Sequence, residues 1–251
     1  MTRKTTPSLV GWLLATALLS GCASQHSMLI GHSALLPGPG QVDVGIGMGF
    51  GYERSTTSAD NASSSDSGTL LSLPAFEGNI LWGLGEQIGL NLHVSEAGIQ
   101  PGVQIQLLKG PVSLAVLPEI AFGYMSGSGG SSSSADTSGL HQFDILAGAK
   151  VLLSHESGVY GGVGYDFQYL SVKSTDSSSD SSDSTETASI HNVTLGLGFA
   201  TTVGNTSLRP ELAFLFYPGY KPSSGSTTST TSQSGWVLMP TITIAATTDK
   251  H

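Results

Sequence analysis

Nine charged side chains stand inside segments that alternate apolar with polar residues. They are Asp43, Glu53, Glu77, Glu119, Asp144, Asp166 and Glu211 against Lys150 and Arg209. Carboxylates outnumbering cations on one face of such segments could do two things. Paired and hydrated, they would form a polar core that holds a closed sheet together. Left in a continuous row, they would line a narrow path that prefers cations. The first reading takes precedence, because a small barrel leaves room inside for side chains and little else.

Chemistry of other kinds has little support. The chain has no Gly-x-Ser-x-Gly elbow, Gly-x-Gly-x-x-Gly turn, Walker loop or His-Glu-x-x-His helix. His155-Glu156 begins the last of these, and Gly158-Val159 ends it. His93 and His141 read as lumen or rim residues, and His191 is followed by Asn192 and Val193 with no nucleophile in a recognisable motif. Asp176, Asp180, Asp183 and Glu186 lie in a run of Ser and Thr whose spacing does not match a calcium loop, so they attract cations diffusely. No catalytic residue, metal site or cofactor is expected, and the chain is read as a non-enzyme.

The elements that must position these charges are strands. Val159, Val163, Tyr165, Phe167 and Tyr169 take one face of a segment, while Tyr160, Gly162, Gly164, Asp166 and Gln168 take the other. After fourteen residues of only Ser, Thr, Asp and Glu, Ser174 to Thr187, the alternation returns. That composition buries no apolar surface and is expected to stay out of ordered structure. The unit is a hairpin, and it repeats. Ten segments follow: Gln41 to Arg54, Thr69 to Trp82, Gln87 to Ser95, Gly102 to Leu108, Val112 to Met125, Leu140 to Leu153, Val159 to Lys173, Ser189 to Val203, Ser207 to Tyr220 and Gly235 to Thr247.

Most of these exceed the roughly 9 to 11 residues that cross a bilayer at a tilt. Their connections alternate. Gly83 to Glu86, Lys109 to Pro111, Ser154 to Gly158 and Gly204 to Thr206 are tight; Ser55 to Gly68, Ser126 to Gly139, Ser174 to Ala188 and Lys221 to Ser234 are long and rich in Ser, Thr, Gly and Asp. Glu96 to Pro101 is short where a long loop is due. Short turns on one side and long loops on the other predict an all-β, antiparallel up-and-down transmembrane barrel, most simply of ten strands. Strands that cross oil must close on themselves, since an open edge would leave backbone groups unsatisfied. Pro74, Pro118, Pro210 and Pro240 each remove a ladder donor from a sheet with no edge, and bulges are the expected accommodation. Leu117-Pro-Glu-Ile-Ala-Phe122 and Arg209-Pro-Glu-Leu-Ala-Phe214 form a weak internal repeat.

At the N-terminus Arg3 and Lys4 precede the apolar run LVGWLLATALLSG, of secretory-signal length, which ends at Leu19-Ser20-Gly21-Cys22. These four residues resemble the bacterial lipobox. The resemblance implies cleavage after residue 21 and acylation of Cys22, the one cysteine of the chain, with residues 22–40 as a lipidated tether ending in Pro37-Gly38-Pro39-Gly40. Ala23 and Ser24 then resemble the start of lipoproteins sorted to the outer membrane. Removing Arg3 and Lys4 takes the formal charge from -9 to -11, so no nucleic acid partner is expected. Membrane lipid and the N-terminal acyl chains are the expected partners, and no protein partner is specified.

Residues 41–251 resemble small bacterial outer-membrane β-barrels in pattern. The resemblance implies short turns in the periplasm, long loops outside the cell and a lipid on Cys22 in the inner leaflet. Such barrels commonly end in an aromatic residue, whereas this sequence ends Thr248-Asp249-Lys250-His251. Some ten-stranded barrels resembling omptins are proteases and some smaller ones deacylate lipid A, and the motifs of neither are matched in this sequence. The function expected is surface-structural or interactive, with a closed polar lumen. The alternatives are a narrow cation-preferring channel or small-solute binder, and a periplasmic barrel lipoprotein that binds lipid.

Overall fold

The computed structural model describes residues 34–59, 66–71, 75–95, 98–130, 137–175, 184–220, 223–224 and 231–248. Their regular structure is entirely β and makes ten barrel strands. The first is Val42–Gly49 continued by Tyr52–Ala59, and the second is Asp66–Leu71 continued by Ala75–Gly83. Ile88–Ser95, Gly98–Leu108, Val112–Gly130, Thr137–His155 and Val159–Thr175 are the third to seventh. The eighth is Ser184–Phe199 continued by Thr201–Val203, the ninth Thr206–Tyr220 and the tenth Thr231–Thr247. Each pairs antiparallel with its predecessor, and the tenth pairs with both the ninth and the first, so the sheet closes.

Closure settles what alternation leaves open, namely which face is inside. Val44, Ile46, Phe50 and Tyr52 of the first strand are exposed on the outer wall, while Asp43 and Glu53 between them are buried inside. The same holds around the barrel, with Ile46 at 69% and Leu197 at 65% exposure. An apolar exterior around a polar interior is the inverse of a water-soluble barrel.

The strands run further into the Ser- and Thr-rich segments than the apolar pattern does. Ser174 pairs with Ser184 and Lys173 with Thr185, so both ends of the span expected to lie outside ordered structure belong to the ladder. Residues 176–183 lie outside the described residues. Similarly, the fifth and sixth strands continue their ladder to Gly130 and Thr137. A ladder is made by backbone groups, and Thr suits a strand whether or not oil surrounds it. The fourth strand also begins earlier than the apolar pattern, at Gly98, placing Pro101 within it.

Most of the prolines are accommodated without bulges. Across Pro118 the fifth strand keeps continuous register with the sixth, and its rungs to the fourth thin out to Ile99–Phe122, Gly102–Glu119 and Ile105–Val116. The eighth strand is interrupted at Ala200, between the rungs Gly198–Glu211 and Thr201–Leu208, opposite Pro210. The first strand is interrupted at Phe50 and Gly51, between Gly49–Thr241 and Tyr52–Leu238, opposite Pro240. In each case the register resumes unchanged, so a missing donor costs rungs and not a slip. The second strand differs. Three steps from Gly49 to Tyr52 are matched by four from Ala75 to Leu71, one extra residue in the stretch that holds Pro74.

The end of the expected tether is packed against the barrel. Ala34 is fully buried against Leu117, Leu152 and Tyr160, inside the short-turn end. Leu36 lies over Gly89, where a Cβ would meet it. The chain then turns at Gly38–Gln41, with Gln41 N donating to Gly38 O at 2.9 Å, and joins the second strand through Gly40 N to Gly83 O at 2.7 Å. Gly40 has φ +79, the left-handed region that favours glycine. Leu35, Leu36 and Pro37 thus lie across the short-turn mouth.

Candidate functional site

The lumen gathers all nine of the charged residues picked out by alternation. Asp43, Glu53, Glu77, Glu119, Asp144, Lys150, Asp166, Arg209 and Glu211 are each buried. Near its middle, Lys150 Nζ lies 2.8 Å from Glu119 Oε1, joining the sixth strand to the fifth. The stem of Lys150 crosses the seventh strand at Gly164, where an added Cβ would stand 3.0 Å from Lys150 Cγ. Asp166 takes the space a side chain at Gly148 would fill. Glycine rows on the inner face therefore hold the long side chains of neighbouring strands.

The remaining acids are held separately. Glu77 Oε2 is 3.1 Å from His93 Nε2. Gln168 Nε2 donates to both oxygens of Asp144, at 3.1 and 3.0 Å. Arg209 donates to Asp43 Oδ2 at 2.6 Å and through Nε to Ser207 Oγ at 2.8 Å. The Tyr217 hydroxyl donates to Glu53 Oε1 at 2.8 Å. Thr241 Oγ1 donates to the backbone carbonyl of Glu211 at 3.4 Å.

Uncharged polar residues fill the rest of the wall. Asn91, Gln100, Gln104, Gln106, Asn192 and Thr194 are all buried inside. The same period of two that marked the charges would have found them. Two apolar groups interrupt the polar lining. Leu170, Ile190, Leu215, Tyr217, Val237 and Met239 meet on the seventh to tenth strands toward the long loops. Ala115, Leu117, Leu152 and Tyr160 meet Ala34 toward the short turns. Below them, a cavity of about 530 Å³ opens at the short-turn mouth, lined in part by Leu35, Pro37, Asp43, Tyr160 and Arg209.

The repeat Leu117–Phe122 and Arg209–Phe214 places Glu119 and Glu211 inward alike. His93 is a lumen residue, whereas His141 and His191 are exposed on the outer wall. Cys22, Asp176, Asp180 and Asp183 lie outside the described residues, and Glu186 is seen only as backbone paired with Val172 and Ser224. Among the described residues no three His, Cys, Asp or Glu side chains converge as metal ligands.

No protein-family model matches this chain. No curated protein matches it by sequence. Solved structures do match. The outer membrane protease OmpT from Escherichia coli is 12% identical with a TM-score of 0.54, covering 85% of this chain and 99% of that one. The outer membrane protein OprG from Pseudomonas aeruginosa is 13% identical with a TM-score of 0.35, covering 85% and 99%. The fold is that of outer-membrane β-barrels.

Proposed function

We propose that this chain is a lipid-anchored barrel of a bacterial outer membrane, with a surface-structural or interaction role, a closed polar lumen and long loops outside the cell. The observation that carries this reading is the lumen itself. Its charges are buried and seven of the nine are engaged by a side chain of another strand, in an interior whose diameter leaves little room beyond its own side chains. The apolar outer wall supports placement in a bilayer. The lipobox at Leu19–Cys22 supports an acyl anchor.

The excess of carboxylates over Lys150 and Arg209 inside the lumen favours a second reading, a narrow cation-preferring path. A lipid-binding barrel of the periplasm has less support, because its wall would be apolar within and polar without.

Planar-bilayer recordings separate the first two readings. A closed lumen gives no steps, and steady cation-selective steps that vanish in Glu119→Gln/Glu211→Gln would overturn it. Protease treatment of intact cells tests the orientation: cleavage within Ser174 to Thr187 is expected, and full protection would point to the periplasm. Labelling with radioactive palmitate, lost in Cys22→Ser, tests the anchor.

A further inference from the structure

Among the residues whose side chains are described, the charged and imidazole groups on the long-loop half of the outer wall are all basic. They are Arg54 on the first strand, His141 on the sixth, Lys173 on the seventh and His191 on the eighth, each exposed. The chain as a whole carries 18 acidic residues to 9 Lys and Arg. A basic wall on an acidic protein calls for a cause.

Three of the four share adjacent strands. Lys173 stands opposite His141 in the ladder of the seventh and sixth strands. Nearer the short turns, Phe167 stands opposite His191. The Phe167 and His191 rings are 5.2 Å apart, and the Tyr165 hydroxyl lies 2.6 Å from His191 Nδ1. With that hydroxyl donating, the ring proton stays on Nε2 as a donor. Between the two levels Phe143 and Tyr169 face outward, and beneath them Val163, Leu195 and Leu197 are wholly apolar. At about 3.3 Å per residue and a strand tilt of about 40°, Lys173 stands about 15 Å above Phe167.

This order, from apolar band through rings and imidazole to Lys173 beside His141, follows the order met along a leaflet from acyl chains to phosphate. We propose that the outer wall of the sixth to eighth strands is a binding strip for lipids whose phosphate headgroup is net anionic, in the leaflet on the long-loop side. Lys173 and His141 meet the phosphate, while His191, fixed by Tyr165 and Phe167, stands with the rings on the acyl-chain side of the headgroups. The inference rests on the membrane reading above.

The test uses the full chain in phosphatidylcholine bilayers, with spin-labelled phosphatidic acid or spin-labelled phosphatidylcholine reporting the lipids held at the protein surface. The wild type is expected to prefer the phosphatidic acid by about five-fold, the factor that one basic group near an anionic surface contributes. Lys173→Gln/His141→Gln/His191→Gln is expected to lose that preference, and Lys109→Gln, on a short turn, to keep it. Should the triple variant fail to fold, Lys173→Gln alone is expected to show a partial loss. No preference in the wild type, or the same preference in the folded triple or single variant, would overturn the strip. If neither label is held at the protein surface, the chain is not seated in the bilayer, and the membrane reading falls with it.

Discussion

Arg209 of the ninth strand and Asp43 of the first are 2.6 Å apart, bound to each other across the tenth strand that lies between them. Tyr217 and Glu53 repeat the relationship nearer the long loops, at 2.8 Å and again over the tenth strand. The seam that closes the sheet is thus bridged from inside at both ends. A closing strand has the largest sequence separation of any pair in an up-and-down barrel, so its loop-closure cost is the greatest.

Arg209→Ala leaves the Asp43 carboxylate buried without its cation. The expected loss is about 3 to 5 kcal/mol, the range for breaking a buried pair from one side. Asp43→Asn/Arg209→Met is expected to recover most of it, because no charge remains to be compensated. Urea midpoints of the folded band on unheated gels give both numbers. A double variant as unstable as the single one would show that packing, and not the charge pair, holds this end of the seam.

Gly235 makes the other bridge possible. A Cβ there would collide with the Tyr217 hydroxyl and the Arg54 carbonyl, so the phenol crosses the tenth strand only because this position has no side chain. Gly235→Ala is expected to cost about 1 to 3 kcal/mol through overpacking, and Tyr217→Phe about 1 to 3 kcal/mol through the bond lost to Glu53. The two should be less than additive, since both break one contact. Additive losses in a double-mutant cycle would mean that Gly235 serves some other purpose.

Much of this architecture was legible in the sequence because alternation is a local signal. The first strand shows it most plainly, with Val44, Ile46 and Phe50 on one face and Asp43 and Glu53 on the other. Alternation alone did not say which face lay inside, because a soluble sandwich alternates in the same way; strand length and the two-sided asymmetry of the connections were the signals that turned the charges inward. Strand ends in the Ser- and Thr-rich segments were hidden for a related reason: Ser174 and Ser184 pair through backbone atoms that composition does not report. The bridges over the tenth strand join residues far apart in sequence, as Asp43 and Arg209 are, and no spacing rule links them. The packing of Ala34 had one faint trace, the apolar triplet Ala34-Leu35-Leu36 in a segment otherwise suited to a tether.

Lys150 is 1% exposed and stands between Glu119 and the acid at Asp166. Lys150→Met removes the cation and leaves two carboxylates, on the fifth and seventh strands, facing each other across the sixth through low dielectric. An expected loss of about 3 to 5 kcal/mol follows. Adding Glu119→Gln and Asp166→Asn is expected to restore stability to within about 2 kcal/mol of wild type, with amides replacing charges in the same space. The measurement is again the urea midpoint, and a triple variant no better than Lys150→Met would assign Lys150 a packing role over Gly164 instead.

The outer wall offers the most direct test of the environment this barrel needs. Leu195 faces outward, half exposed, with Leu197 and Val163 beside it. In water a charge at such a position would be tolerated, since surface substitutions usually change stability by less than about 0.5 kcal/mol. In the apolar band of a bilayer, arginine near the midplane costs about 2 to 4 kcal/mol. Leu195→Arg is therefore expected to lower the yield of folded chain in phosphatidylcholine vesicles, while Glu86→Gln, exposed on a short turn, leaves the yield close to wild type. The comparison is made by protease protection after dilution from urea into vesicles. Equal yields for Leu195→Arg and wild type would mean that this wall does not face oil, and the inverted arrangement of apolar outside and polar inside would lose its physical reason.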